Sequence, residues 1–453
     1  MSLKKNDVIE LEITGFSSEG SGVGHFDGQA VFVNGTATGD TVQCVIIKAK
    51  KNYAIGKLQN ILKASPDRII PDCPAFPRCG GCQYRHISYE AEKRIKTDKV
   101  RDAFKRIGHL DIIPEEAVGA ENTARYRNKA QFPVETANGR LLAGFYAPFS
   151  HRVIDCKDCL LQPREFSDIL KITAKWCEKY KIPTYDESTR KGLLRHIYIR
   201  KAFNTGEIMV CLVINGDKIF KQDELISALL KANSNIKTLL LNFNTEDTNV
   251  IMGKKEKVLY GKGYIEDILC GKRFRISPLS FYQVNHDGAE LLYNTAKSLL
   301  ALQPGESLLD LYCGIGTIGM SLAEDDTPLV GIEIVPQAIE NAKENAARNG
   351  MTNAQFFCGD ASDAGKILSD CGIRADAVVV DPPRKGLTPE VIAYLAELNP
   401  SRIVYISCDA DTLARDIVRF REAGYDTDTV QPVDMFSRTG HVECVTKFTH
   451  RTK

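Results

Sequence analysis

Cys408 and Asp381 each stand just past a short apolar run, Ile403-Val404-Tyr405-Ile406 and Ala377-Val378-Val379-Val380, and His441-Val442-Glu443 lies downstream. Apolar runs that stop at polar residues read as buried parallel strands delivering side chains to one edge of a sheet. A thiol delivered there is a candidate nucleophile, and carboxylates beside it are candidate proton acceptors. A lone cysteine is more often a small buried apolar residue. Its place at a strand end, beside the strand that ends in Asp381, argues for chemistry instead.

The same part of the chain holds a nucleotide-type fingerprint. Gly314-x-Gly316-x-x-Gly319 follows Leu308-Leu309-Asp310-Leu311-Tyr312, and Glu333 ends the next apolar run at the spacing of a ribose-binding acid. The glycines alone are a weak signal. Asp310 in the first run and Asp360 after Gln355-Phe356-Phe357-Cys358-Gly359 add acids at successive strands. That pattern suits a cationic ligand without phosphate. S-adenosylmethionine, with an amino group, a sulfonium and a ribose, fits better than a nicotinamide dinucleotide. A helix with Ala338, Ala342, Ala346 and Ala347 on one face completes a βαβαβ order, which predicts an α/β, doubly wound, Rossmann-like sheet.

A second constellation lies far upstream. Cys73-x5-Cys79-x2-Cys82 needs a fourth ligand. Four thiolates suit zinc or a 4Fe–4S cluster, and spacing does not choose between them. The paired units Cys79, Cys82, Cys156 and Cys159 could bind zinc. The spacing is not the Cys-x3-Cys-x2-Cys of radical enzymes, so a structural or RNA-positioning role is expected. Cys44, Cys177, Cys211, Cys270, Cys313, Cys358, Cys371 and Cys444 are expected in the core.

The elements that must carry these groups follow from the rest of the chain. Its 453 residues exceed one compact core, so two or three domains are expected. Residues 4–62 alternate and are punctuated by glycines, as in a five-stranded barrel of the oligonucleotide-binding kind. A basic helix is expected over 89–107, ended by Gly108, and β-rich structure over 125–270. The expected division is a barrel at 1–62, a central cysteine-bearing domain at 63–275 and a catalytic domain at 276–453. No apolar run reaches the length of a membrane span, and residues 1–7 lead into no signal core, which predicts a cytoplasmic protein. The net charge of +1 gives no global sign of nucleic-acid binding. Basic clusters at 48–51, 94–106 and 125–129 nonetheless predict a phosphate-binding surface, and hence RNA.

Four segments resemble the signatures of the uracil-5 RNA methyltransferase family. They are Asp381-Pro382-Pro383-Arg384-Lys385-Gly386, the stretch 403–412 around Cys408, Val433-Asp434-Met435-Phe436 with His441-Val442-Glu443, and Phe281-Tyr282-Gln283-Val284-Asn285. The N-terminal barrel resembles that family's TRAM domain, so the similarity spans essentially the whole chain. At Ser437 the family has proline. The resemblance implies methyl transfer from S-adenosylmethionine to carbon 5 of a uridine in RNA, ribosomal RNA in particular, by a monomeric enzyme. It implies Cys408 as the thiolate that adds to carbon 6 and Glu443 as the base. It further implies cofactor contacts from Gln283, Tyr312, Gly314, Thr317, Glu333, Asp360 and Asp381, with Gln283 and Asp381 open between cofactor and uracil. Finally, it implies a 4Fe–4S cluster on Cys73, Cys79, Cys82 and Cys159, with Cys156 spare.

Other functions use fewer of these residues. An amino-group methyltransferase carries an aromatic where Arg384 stands and has no use for Cys408. A catalytically silent iron–sulfur RNA-binding protein needs neither Cys408 nor Glu443. A nicotinamide redox enzyme leaves 381–386 unexplained. Transfer RNA is the alternative substrate.

Overall fold

The computed structural model describes residues 3–156, 158–372 and 374–451. Alternation in Val8–Glu12 buries Ile9 and Leu11, which join Val31, Val33, Val42, Cys44, Ile46 and Ala54 in one small core. The sheet around it has six strands, in the order Val8–Glu12, Thr41–Ala49, Tyr53–Lys63, Gln29–Val33, Gly22–Phe26, Gly15–Phe16. The sixth, Gly15–Phe16, is too short to show alternation in sequence. Lys48, Lys50 and Lys51 are exposed where Thr41–Ala49 turns into Tyr53–Lys63.

A seven-stranded sheet follows, in the order Val153–Asp155, Arg140–Tyr146, Lys129–Ala137, Leu194–Lys201, Ile208–Ile214, Ile236–Phe243, Lys255–Gly261. Two helices absent from the sequence reading cover it, Arg164–Tyr180 and Gln222–Ala232. Phe166, Ile169, Leu170, Thr173 and Cys177 repeat at helical spacing and face the sheet. The second helix is the crossover that makes Ile208–Ile214 and Ile236–Phe243 parallel.

The third sheet runs Ala354–Cys358, Leu329–Glu333, Leu308–Leu311, Ala377–Val380, Arg402–Ser407, Glu443–His450, Val430–Asp434, with Val118–Gly119 at the edge. Its first five members are parallel, and Glu443–His450 is antiparallel to both neighbours. Strand order reverses between Leu308–Leu311 and Ala377–Val380, so the carboxyl ends of these two strands flank the crevice where such sheets bind ligands. The helix Tyr89–Ala103 packs on this sheet and not on the central one. Val100, Ala103 and Phe104 share a core with Val378, Val380, Tyr405 and Cys444.

Two burial expectations change. Ala342 and Ala346 of helix Pro336–Arg348 are buried, but Ala347 is exposed, since a step of five residues turns it well off their face. Cys358 is exposed and Cys270 only half-buried, whereas Cys44, Cys177, Cys211, Cys313 and Cys444 are buried. The side chain of Cys371 lies outside the described residues.

Candidate active site

Strand pairing assembles the chemistry. Val380 pairs with Tyr405 in parallel register and Ser407 with Cys444 in antiparallel register. Asp381 and Cys408 each follow a paired position, and Glu443, paired with Val433 on its other side, precedes Cys444, so the three emerge together. Burial pushes the Glu443 carboxyl up to about 8, with the Asp381 charge adding and Arg384 opposing. Burial likewise pushes Asp381 up to about 7. The Cys408 thiol is raised to about 12 by burial and then by Glu443 and Asp381, while Arg384 draws it down. The four groups thus sense one another in one crevice, and the thiol stays protonated while both carboxyls are ionised.

The glycine turn lies across the strand-order reversal. Tyr312, Gly314 and Gly316 have φ of 66°, 56° and 83°. A Cβ at Gly316 would also run into Met320. Buried Asp310 accepts from the Gly319 amide through Oδ2 at 2.8 Å and leaves Oδ1 buried without a partner. Burial, then Asp381 and Glu333, push its carboxyl up to about 8. Glu333 accepts from the amides of Gly314 at 3.3 Å and Val335 at 2.9 Å. Thr317 is buried beside Tyr293, with 3.5 Å between hydroxyls. Asp360 is exposed and caps Ala361–Asp363 through the Ser362 amide. Asp310 thus senses Asp381 and Glu333, with one of its own oxygens orphaned.

The loop ahead of Glu443 is held by a buried charge cluster that local sequence does not reveal. Lys96 Nζ bonds Asp434 at 2.6 Å, Glu92 at 2.9 Å and the Phe436 carbonyl at 3.3 Å. Tyr89 and Ser437 also donate to Asp434, at 2.9 and 2.8 Å, and Arg438 N–H donates to Glu92 at 2.7 Å. Ser437, standing where the resembled family has proline, thus fixes the loop by a hydrogen bond. Tyr126 and Asn285 donate to the Ser437 and Met435 carbonyls, and Asn128 donates to the Gln283 carbonyl. Gln283 is itself buried. The basic clusters at 94–106 and 125–129 are partly spent in this work. Lys96 is buried, Lys99 donates to the Ser18 and Gly440 carbonyls, and Arg125 pairs with Asp158 at 2.5 Å.

The upstream cysteines come together beside the central sheet. Cys79 senses Cys73 and Cys159, Cys82 senses Cys159 and Cys79, and the Cys156 and Cys159 side chains are hydrogen-bonded. That bond lowers the Cys159 thiol to about 7, helped by the Leu161 and Gln162 amides. Arg85 bonds Cys82, and the Gly81 amide faces Cys79 Sγ at 3.4 Å. Among the described residues, no group of three or more His, Cys, Asp or Glu side chains has the disposition of a metal site. Mutual sensing extends over several ångströms, so the thiols share a neighbourhood without being drawn in to bonding distances.

The chain matches the profile of the tRNA (Uracil-5-)-methyltransferase family over residues 96–451 and that of the TRAM domain over 3–58. It belongs to the tRNA (uracil-5-)-methyltransferase family. This methyltransferase is 44% identical to an uncharacterized RNA methyltransferase of Clostridium tetani, over 99% of its own length and 97% of the relative's. A second, from Halalkalibacterium halodurans, is 42% identical over 98% and 97%. Among solved structures, the Pyrococcus abyssi tRNA (uracil-54, C5)-methyltransferase in complex with S-adenosyl-L-homocysteine superposes with a TM-score of 0.78 at 25% identity, covering 97% of this chain and 100% of that one. The expected fold is therefore met: a Rossmann-like methyltransferase sheet with an N-terminal TRAM domain. The protein is an RNA methyltransferase.

Sequence reading named Cys408, Asp381 and Glu443 but gave Arg384 no role. Its signal was its place in the Asp381–Gly386 loop, whose start shares the crevice with the thiol.

Proposed function

We propose that this enzyme methylates carbon 5 of a uridine in RNA through a covalent adduct on Cys408. The convergence of Cys408, Glu443 and Asp381 at one sheet edge is the observation that carries it. Carbon 5 of uracil is a weak nucleophile. Addition of the Cys408 sulfur to carbon 6, with its proton passing to the neighbouring Asp381 carboxylate, makes an enolate and so directs electrons to carbon 5. S-adenosylmethionine supplies an electrophilic methyl group on a sulfonium. The acid-rich crevice and the orphaned Asp310 oxygen fit such a cation. Tyr312, Gly314, Thr317, Glu333 and Asp360 would hold it, with Gln283 and Asp381 on the seam between cofactor and uracil. Once carbon 5 carries the methyl group, Glu443 removes its proton, and the electrons of that C–H bond expel the Cys408 thiolate. A base must leave its stack to reach such a crevice.

Cys73, Cys79, Cys82 and Cys159 would hold a 4Fe–4S cluster, with Cys156 outside the set. Converging thiols with amide and guanidinium donors on their sulfurs support this. The cluster would brace the central domain and take no part in methyl transfer. We place the domains at 1–62, 63–275 and 276–453, with 89–119 docked onto the last.

Ribosomal RNA is the proposed substrate, on the pairing of a TRAM barrel with the cysteine cluster. Transfer RNA is a second reading, favoured by the Pyrococcus abyssi relative, which is named for uracil 54 of tRNA and superposes over nearly the whole chain. Mapping 5-methyluridine by mass spectrometry in both RNAs, from cells with and without this chain, tests the proposal. Loss from ribosomal RNA supports it, loss from transfer RNA alone moves the substrate, and no loss from either contradicts it.

A further inference from the structure

A cavity of about 790 Å³ opens next to the cysteine segment, lined by Gly80, Gly81 and residues 145–151. Among the described residues no cysteine or acid lines it, but it borders the thiol cluster, since Gly80 and Gly81 lie between Cys79 and Cys82, and Glu187 and Glu135 act on Tyr146 from outside the lining, with Arg195 opposing. Its wall is aromatic: the Tyr146 and His151 rings lie 5.3 Å apart at 55°, and Phe145 is half-buried behind them. Phe149 is 101% exposed, on a backbone with φ of 57°. A bulky residue gains nothing from left-handed backbone, and a bare phenyl ring gains nothing from water. Both features are held by a loop tied at its base, where the Gly80 amide donates to the Tyr146 carbonyl at 3.1 Å and the Ala147 amide to the Arg152 carbonyl at 3.0 Å. Exposed Arg78 and Arg152 flank the cavity in sequence.

We propose that this cavity receives an unstacked base of single-stranded RNA, stacked on Phe149 with its backbone phosphates facing Arg78 and Arg152. An aromatic wall with a fully exposed phenyl ring, flanked in sequence by two exposed arginines, matches a base and its phosphates rather than an apolar peptide. The proposal rests on RNA being the substrate and adds a second point of grip, remote from Cys408 in the chain. A duplex hides its base faces, so the site should discriminate between single and double strands.

The test uses the full-length protein and a single-stranded oligouridylate of about 12 nucleotides bearing one 2-aminopurine, with a blunt duplex of equal length as control. Wild-type protein should quench the 2-aminopurine. Phe149→Ala should abolish the quench and weaken single-strand binding by about 5- to 100-fold, leaving duplex binding unchanged. Phe149→Trp should restore both signals. Because Phe149 is exposed, its loss does not threaten folding, and unchanged S-adenosylmethionine binding verifies that. Single-strand binding by Phe149→Ala equal to wild type would overturn the site. So would an RNA-independent dimer that Phe149→Ala dissolves, since the ring would then serve a second copy of the chain. Uridine methylation by wild type is scored separately: a stacking signal without methylation would fault the proposed reaction and leave the cavity assignment intact.

Discussion

Cys408 and Glu443 leave the same antiparallel strand pair side by side, one residue past the pairing of Ser407 with Cys444. The Glu443 carboxylate helps to hold the thiol protonated, and burial holds Glu443 itself up to about 8. Backbone register therefore places a thiol and a carboxyl side by side at one edge of the sheet. Removing the thiol should cost the reaction most of its rate. Cys408→Ala is expected to lower methyl transfer by roughly 10⁴-fold or more, the scale of nucleophile loss elsewhere, with S-adenosylmethionine binding unchanged by calorimetry.

The raised carboxyls make stability depend on pH. Glu443 and Asp310 titrate at about 8 and Asp381 at about 7 in the fold, against roughly 4 in the unfolded chain. Between those limits the folded state binds more protons, so the stability they confer is full below about pH 4 and is lost as pH rises through 7 to 8. The melting temperature of wild type, compared with Glu443→Gln, should fall faster over that window. Equal slopes would mean that Glu443 ionises normally. Methyl transfer should run the other way, rising with pH as Glu443 becomes a base.

Lys96 is a sharper test of the loop. Lys96→Met leaves buried Asp434 without its cation and Glu92 with only Arg438, 3.7 Å away, which should cost about 3–5 kcal/mol in urea unfolding. A change below about 1 kcal/mol would mean that the pair adds nothing beyond a surface bridge.

That cluster marks where local sequence stops being informative. Asp381, Cys408 and the glycine turn were legible because parallel strands read as short apolar runs whose polar ends bear the chemistry. Lys96 looked like one charge in a basic helix, since its partner Asp434 is 338 residues away. The helix Arg164–Tyr180 was hidden among strands, because its apolar stripe is interrupted by lysines and acids that face solvent. Gly15–Phe16 offered two residues, too few for any period.

The thiol cluster gives opposite outcomes for its two metals. With a 4Fe–4S centre, anaerobically purified protein should be brown with about four irons per chain. Cys73→Ser should bleach it and Cys156→Ser should not. Colourless protein with one zinc, damaged by Cys156→Ser, would assign the site to the two Cys-x2-Cys pairs.

The covalent adduct is the most direct measure of the proposed chemistry. Glu443→Gln, incubated with substrate RNA and S-adenosylmethionine, should complete methyl transfer but fail to release Cys408. A denaturant-resistant protein–RNA band should accumulate, carry the transferred methyl group, and vanish in the Cys408→Ala, Glu443→Gln double variant. Wild-type turnover by Glu443→Gln with no trapped band would contradict Glu443 as the base, and a band that survives loss of Cys408 would contradict the nucleophile.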